Sequence, residues 1–131
     1  KADAVRKDYP KVADWYLAGH SLGGAMASTY AHENASGLRG VILLAAYSTE
    51  DLTKDNLEVL SIYGSMDCVL NMENYETYRS NLPADMTELV LEGGNHCNFG
   101  NYGAQRGDGV AKLSAEEQQA ATVEAICELL E

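Results

Sequence analysis

The amino-acid sequence predicts an α/β fold in which helices cover a parallel sheet of four strands. Three observations support this prediction. Short runs of β-branched and apolar residues alternate along the chain with longer helix-like segments. The run GVILLAA at 40–46 is apolar throughout, as expected of a parallel strand buried on both faces. The 131 residues, 46% of them hydrophobic, are enough to bury one core, so we expect a single domain over 1–131.

Each predicted element has its own local signal. Residues 1–9 mix charged and apolar side chains like the end of a surface helix, which Pro10 stops. The predicted strands lie at 12–18, 40–46, 58–63 and 87–91. The predicted helices lie at 22–34, which is rich in small residues, and at 71–81. A glycine-rich loop at 93–109 follows the last strand, and its length favours a functional role.

The last predicted helix has the clearest start. Ser114 and Glu117 form the Ser-x-x-Glu pattern of a capping box, in which each side chain bonds the backbone of the other residue. The helix is expected to run to about residue 130. Its predicted buried stripe consists of four residues at helical spacing, Val123, Ile126, Cys127 and Leu130.

Charge and composition exclude several classes of partner. The formal net charge of −11 would repel phosphate backbones and anionic membranes, so no nucleic acid partner is expected. No run approaches the roughly 18–20 apolar residues of a membrane span. The chain opens on neither a start methionine nor a signal peptide, which predicts a piece of a longer protein. The sequence contains neither a glycine-rich phosphate-binding motif nor a C-x-x-C pair. We therefore expect neither a metal nor an organic cofactor.

The segment Gly19-His20-Ser21-Leu22-Gly23 fits the pattern G-x-S-x-G, and it lies between a predicted strand and a predicted helix. That context is typical of a nucleophile elbow, where small residues allow a turn sharp enough to expose the serine hydroxyl. Ser21 is therefore the predicted nucleophile, with the alternative that it is a chance serine in a turn. The Leu22 N–H, at the start of the helix, is the predicted first oxyanion donor.

A serine nucleophile needs a base, and that base needs an acid to orient it. Asp67 follows the predicted strand at 58–63, and His96 follows the strand at 87–91, so both are expected at the same edge of the sheet. We predict Asp67 as the acid and His96 as the general base. The weaker candidates are Asp51, Asp55 and Asp108 for the acid and His20 and His32 for the base. His20 is expected to point away from the nucleophile and to serve packing.

Together these residues resemble the α/β-hydrolase family, and the chain is similar to the carboxyl-terminal half of compact dienelactone-hydrolase-like members. The run from Gly93 to Gln105, GGNHCNFGNYGAQ, is similar to one found in small esterases or lipases. The resemblance implies catalytic roles for Ser21, Asp67 and His96. It also implies that Phe99 and Tyr102 line the mouth of the site as substrate-binding residues.

The same resemblance implies that the amino-terminal half of the fold is missing. Family members have eight strands, and the four predicted here match their last four. The second oxyanion donor would be absent, and loss of one such donor costs roughly a hundredfold to a thousandfold in rate. We therefore expect a poor catalyst whose sheet edge near 12–18 is covered by the missing half or by a second copy of the chain.

Cys68 and Cys97 directly follow the predicted acid and base, so a disulfide between them is one expectation and unpaired packing cysteines are the other. Cys127 lies apart in the last helix. Three cysteines do not make a disulfide framework.

The predicted function is hydrolysis of a small-molecule carboxylic ester through an acyl-enzyme on Ser21, as in a serine esterase or a lipase-like enzyme. A peptidase or a lactone hydrolase on the same fold stays open, because the pattern does not determine the substrate pocket. A binding or interaction module that keeps the fold without catalysis is the alternative from another class.

Overall fold

The computed structural model describes all 131 residues as four parallel strands in the spatial order β1-β2-β3-β4. The strands are β1 (Tyr16–His20), β2 (Gly40–Leu44), β3 (Glu58–Gly64) and β4 (Thr87–Leu91). The helices are α1 (Ala2–Asp8), α2 (Leu22–Glu33), α3 (Met72–Tyr78) and α4 (Ala115–Leu130). Short 3₁₀ turns cover Arg79–Asn81 and Cys97–Phe99. The predicted α/β class, with flanking helices, is confirmed. None of these helices has the length and apolar character needed to span a bilayer.

The two central strands, β2 and β3, carry the core on both faces of the sheet. Val41, Leu43 and Val59 face one side, where they pack with the buried Ala31 of α2. Ile42, Leu60 and Ile62 face the other side, toward α4. The alternation follows from the two-residue period of a strand, and it explains why both strands have apolar residues on both faces.

The first strand is shorter than predicted. The sequence favours a strand at 12–18, whereas β1 begins at Tyr16, which pairs with Gly40 at the start of β2. One more backbone hydrogen bond precedes this pair, in which the Arg39 N–H donates to the Trp15 carbonyl. Before Trp15 no neighbouring strand is present, and a strand without a hydrogen-bonding partner has no reason to persist. The residues at 12–14 are consequently irregular and exposed.

The buried face of α4 differs from the predicted stripe. The capping box at Ser114 and Glu117 is confirmed, but Val123, Cys127 and Leu130 are exposed, and only Ile126 of the four packs on the core. The residues that face the sheet are Gln118, Ala121, Thr122, Ala125, Ile126 and Leu129. Small and polar residues lie on this face because it contacts a backbone loop as well as the sheet.

β1 forms one side of the sheet and pairs only with β2. Its other edge has no partner within the chain, and the side chains of Leu22 and Met26, on the adjoining helix α2, are 75% and 62% exposed. The expectation that another polypeptide covers this edge stays a prediction.

Candidate active site

Ser21 occupies a strained turn between β1 and α2. Its φ of +54° and ψ of −123° lie where few residues with a side chain are found, so the surrounding structure must hold it there. The Ser21 N–H donates to the carbonyl of Leu44, at 2.9 Å, and the Ser21 carbonyl accepts from the Gly24 N–H, also at 2.9 Å. The backbone thus fixes this serine on both sides.

The glycines around Ser21 do not all serve the same purpose. A Cβ on Gly19 would lie 2.3 Å from the backbone of Gly23, and one on Gly24 would lie 2.5 Å from the Cβ of Ala46. A Cβ on Gly23 would meet nothing within 4 Å. The expectation that both glycines flanking the serine avoid a clash is therefore right for Gly19 and wrong for Gly23, which faces open space.

Asp67 and His96 meet at the carboxyl ends of β3 and β4. Asp67 Oδ2 lies 2.8 Å from His96 Nδ1, and the two side chains are 1% and 2% exposed. The other carboxylate oxygen, Oδ1, accepts hydrogen bonds of 2.8 Å from the backbone N–H groups of Val69 and Leu70. Asp67 is thereby fixed in orientation, and it holds the imidazole so that Nδ1 faces the acid.

The other candidate acids and bases have different partners. Asp51 accepts hydrogen bonds from Thr53, and Asp55 pairs with His32 on the protein surface. This pairing raises the pKa of His32. Of the candidate acids, only Asp67 bonds the His96 ring.

The loops that carry Asp67 and His96 pack directly on one another. A Cβ on Gly64 would lie 2.3 Å from the backbone of Gly94, which explains the glycine at position 64. The Met66 N–H donates to the Gly94 carbonyl at 2.8 Å, and the Gly93 N–H donates to Ser65 Oγ at 2.8 Å. The acid and the base are therefore held at a fixed separation by the backbone.

Two residues that support His96 were not predicted from the sequence. The buried Gln118 side chain accepts from the Asn95 N–H at 3.0 Å and donates to the Asn95 carbonyl at 2.8 Å. Asn95 in turn donates through Nδ2 to the Gly109 carbonyl, at 3.0 Å. Gln118 lies off the predicted apolar stripe of this helix, and its partner Asn95 lies 23 positions away, so no local signal identifies it.

Asp108, a weaker candidate for the acid, binds backbone instead of a ring. Its carboxylate accepts from the N–H groups of Cys97, at 2.9 Å, and of Cys68, at 3.4 Å. All three cysteines are free, so this carboxylate, and not a disulfide, connects the segments that contain Cys68 and Cys97. Burial would raise the pKa of Asp108, but hydrogen bonds from the backbone of Cys97, His96 and Gly109 outweigh it and lower the pKa.

His20 lies against the candidate base. Its ring centroid is 4.7 Å from that of His96 and 5.5 Å from that of Tyr102, on which it stacks. These contacts confirm the expectation that His20 serves packing, and its direction away from Ser21 stays a prediction. Its Nε2 is buried without a hydrogen-bond partner. Burial, and then the charge of His96, lower the pKa of His20 and favour its neutral form.

A cavity of about 350 Å³ opens beside Ser21 and His96. Its other lining residues are Leu22, Ala25, Ala45, Ala46, Tyr47, Thr49, Val69, Leu70 and Asn71. The wall is mostly apolar and contains no carboxylate or lysine or arginine, so it suits an uncharged group. Phe99 and Tyr102 are not among these residues and contact His20 instead. Their role at the mouth of the site stays a prediction.

The sequence profile described as the alpha/beta hydrolase family matches residues 1–120. The chain belongs to the α/β-hydrolase family. No curated protein sequence matches this α/β hydrolase, but its fold is similar to several solved structures.

One similar structure is a predicted CIB-like hydrolase from Thermoplasma acidophilum, 23% identical, with a TM-score of 0.63 and coverage of 95% of this chain and 57% of that one. A second is a monoacylglycerol lipase from Paleococcus ferrophilus, 16% identical, with a TM-score of 0.66 and coverage of 98% and 73%. A third, from Klebsiella pneumoniae, is provisionally described as a dienelactone hydrolase; it is 18% identical, with a TM-score of 0.60 and coverage of 94% and 57%. The chain therefore spans little more than half of the first of these proteins. These likenesses confirm the fold and the predicted resemblance.

Proposed function

We propose that this α/β hydrolase is a serine hydrolase that cleaves carboxylic esters through an acyl-enzyme on Ser21. The observation that carries the proposal is the buried pair of Asp67 and His96 beside a cavity that Ser21 also lines. Nδ1 carries the only hydrogen bond of the His96 ring. Nε2 is therefore available to accept the Ser21 proton.

The reaction consists of an acylation step and a deacylation step, and His96 accepts and gives up a proton in each. Ser21 Oγ attacks the ester carbonyl while His96 Nε2 takes its proton, and Asp67 stabilises the resulting imidazolium. The Leu22 N–H belongs to the first turn of α2, where N–H groups have no acceptor within the helix, and it donates to the oxyanion. His96 gives its proton to the departing alcohol. Water then attacks the acyl-enzyme through the same base and releases the acid.

Two observations support an ester with an uncharged acyl or alcohol group. The cavity beside Ser21 has a mostly apolar wall. A solved structure of similar fold is a monoacylglycerol lipase, and carboxylesterases of Nitrososphaera gargenis also share the fold. Lactone and peptide substrates use the same chemistry, so a substrate panel must separate them.

A binding module without catalysis is the second candidate. It is favoured by one observation: Ser21 Oγ and His96 Nε2 are not joined by a hydrogen bond, since the His96 ring bonds only through Nδ1. Catalytic hydrogen bonds often shorten only when substrate is bound, so a labelling experiment must separate the two functions.

Labelling of the protein by a fluorophosphonate probe separates the two candidates. The proposal predicts labelling that is lost in Ser21→Ala and strongly slowed in His96→Ala. Ser80→Ala, which changes an exposed serine without a side-chain hydrogen bond, is the matched control and should label like the wild type. Absence of labelling in the folded wild type would favour the binding module. A panel of short-chain esters, lactones and peptides then identifies the substrate class.

A further inference from the structure

Asp108 lies on the long segment between β4 and α4, yet its carboxylate reaches both loops of the candidate site. Oδ1 accepts from the N–H groups of Gly109, at 2.8 Å, of His96, at 3.2 Å, and of Cys68, at 3.4 Å. Oδ2 accepts from the Cys97 N–H at 2.9 Å. One side chain thus bonds the backbone of the candidate base itself and the residue that directly follows the candidate acid.

The neighbouring backbone keeps Asp108 at this position. A Cβ on Gly109 would lie 1.8 Å from the Met66 carbonyl oxygen, so the segment is in direct contact with the loop that carries Asp67. On the other side, Asn95 donates to the Gly109 carbonyl at 3.0 Å. The segment therefore lies between the two loops, and the carboxylate bridges them.

The charge of Asp108 matters as well as its shape. Four N–H groups converge on the carboxylate, and hydrogen bonds to an ionised acceptor are about twice as strong as neutral ones. A neutral amide at this position would present an N–H group to at least one of the four donors. Three titratable side chains face His96: Asp67 at Nδ1, His20 against the ring, and Asp108 at the backbone N–H.

We propose that Asp108 is a positioning residue, whose ionised carboxylate fixes the loop of His96 against the loop of Asp67. The proposal rests on the proposed serine hydrolase function. It assigns Asp108 no contact with the substrate.

Asp108→Asn tests this role, because it keeps the shape of the side chain and removes its charge. We expect the rate of fluorophosphonate labelling to fall by roughly ten- to a hundredfold, since small displacements of catalytic groups have effects of this size. We also expect this fall to lie in the maximal rate constant at saturating probe, with the half-saturating probe concentration unchanged, because Asp108 does not line the cavity beside Ser21. Asp85→Asn removes the same charge from an exposed aspartate without side-chain contacts, and should change neither quantity.

The outcomes are distinguishable. A wild-type protein that is not labelled overturns the proposed function and this proposal with it. A labelled wild type with an unchanged rate in Asp108→Asn overturns the role of Asp108 alone. A slower Asp108→Asn variant whose maximal rate constant is unchanged, and whose half-saturating probe concentration has risen, has a damaged cavity instead and also overturns the proposal.

A measurement on the wild type does not depend on the folding of the variant. Amide hydrogen exchange at neutral pH should be slower at His96 and Cys97 than at the exposed residues 102–104 of the same segment, because only the former donate to Asp108. Equal exchange rates in the two groups would overturn the bridge.

Discussion

The two halves of the candidate site are built differently. On one side, Asp67 and His96 have almost fully buried side chains. Asp67 accepts from the backbone of Val69 and Leu70, and the His96 N–H donates to Asp108. On the other side, Ser21 is held by backbone alone, at the end of the edge strand β1.

This difference shows which part of the site is complete within the chain. The acid and the base are preorganised by contacts that the 131 residues supply themselves. The surroundings of Ser21 are open, since a Cβ on Gly23 would meet nothing within 4 Å and Leu22 is largely exposed. We expect the half with Asp67 and His96 to be the more rigid one, and the covering of β1 by another polypeptide stays a prediction. The following predictions test this contrast, beginning with the largest effect.

Asp67→Asn should have the largest effect. The amide cannot hold the imidazole as the carboxylate does, and its NH₂ group would oppose either the His96 ring or the two N–H groups of Val69 and Leu70. We expect the rate of fluorophosphonate labelling to fall by roughly 10³- to 10⁴-fold. Asp14→Asn, at an exposed site without side-chain hydrogen bonds, is the control and should label normally. A fall of less than tenfold in Asp67→Asn would contradict the preorganised pair.

The glycines next to Ser21 should respond in opposite ways to alanine. Gly19→Ala places a Cβ 2.3 Å from backbone atoms, which should lower the free energy of unfolding by about 1–3 kcal/mol or more. Gly23→Ala enters open space in the first turn of α2 and should raise it by at most about 1 kcal/mol, because alanine favours a helix. Urea unfolding of the two variants measures the difference. A similar loss in both would mean that the surroundings of Gly23 are already filled.

His20→Phe should reduce the pH dependence of stability. The pKa of His20 is lowered in the folded chain, so below about pH 6.5 the unfolded chain takes up a proton before the folded chain does. Stability is thus lost as the pH falls from there. Phenylalanine keeps a ring against Tyr102 and cannot titrate. Urea midpoints at pH 7.5 and 5.5 should differ less in the variant, and His32, whose pKa is raised, is common to both proteins. Equal differences would show that His20 is not buried as a neutral ring.

Met26→Gln should have the smallest effect. Met26 is 62% exposed on α2, and substitutions at such positions change the free energy of unfolding by less than about 0.5 kcal/mol. By contrast, Ile62→Ala in the buried centre of β3 should cost about 2–5 kcal/mol. A large loss in Met26→Gln would indicate that another polypeptide already covers α2 in solution.

Much of the fold, and the pairing of Asp67 with His96, could be predicted from local sequence patterns. The strands β2 and β3 and the capping box of α4 depend on neighbouring residues, and the sequence predicts their bounds within one or two positions. Asp67 and His96 follow strand ends, so the parallel topology alone predicted that they meet.

The remaining features depend on contacts between distant residues, which one sequence does not reveal. The start of β1 is determined by where β2 begins, and the buried face of α4 by the loop that Gln118 binds. Asp108 reaches Cys68 across 40 positions, and nothing in its immediate sequence predicts four backbone donors. The aromatic contacts of His20 arise in the same way, through a loop that returns to the sheet edge.

Location of the phosphonate adduct by mass spectrometry tests the central claim most directly. Trypsin is expected to release residues 12–39, which contain Ser21, Ser28 and Ser36, so fragment ions must identify the modified serine. The account predicts the adduct on Ser21 in the wild type and a much slower reaction in His96→Ala. An adduct on another residue, or an equal rate in the two proteins, would contradict it.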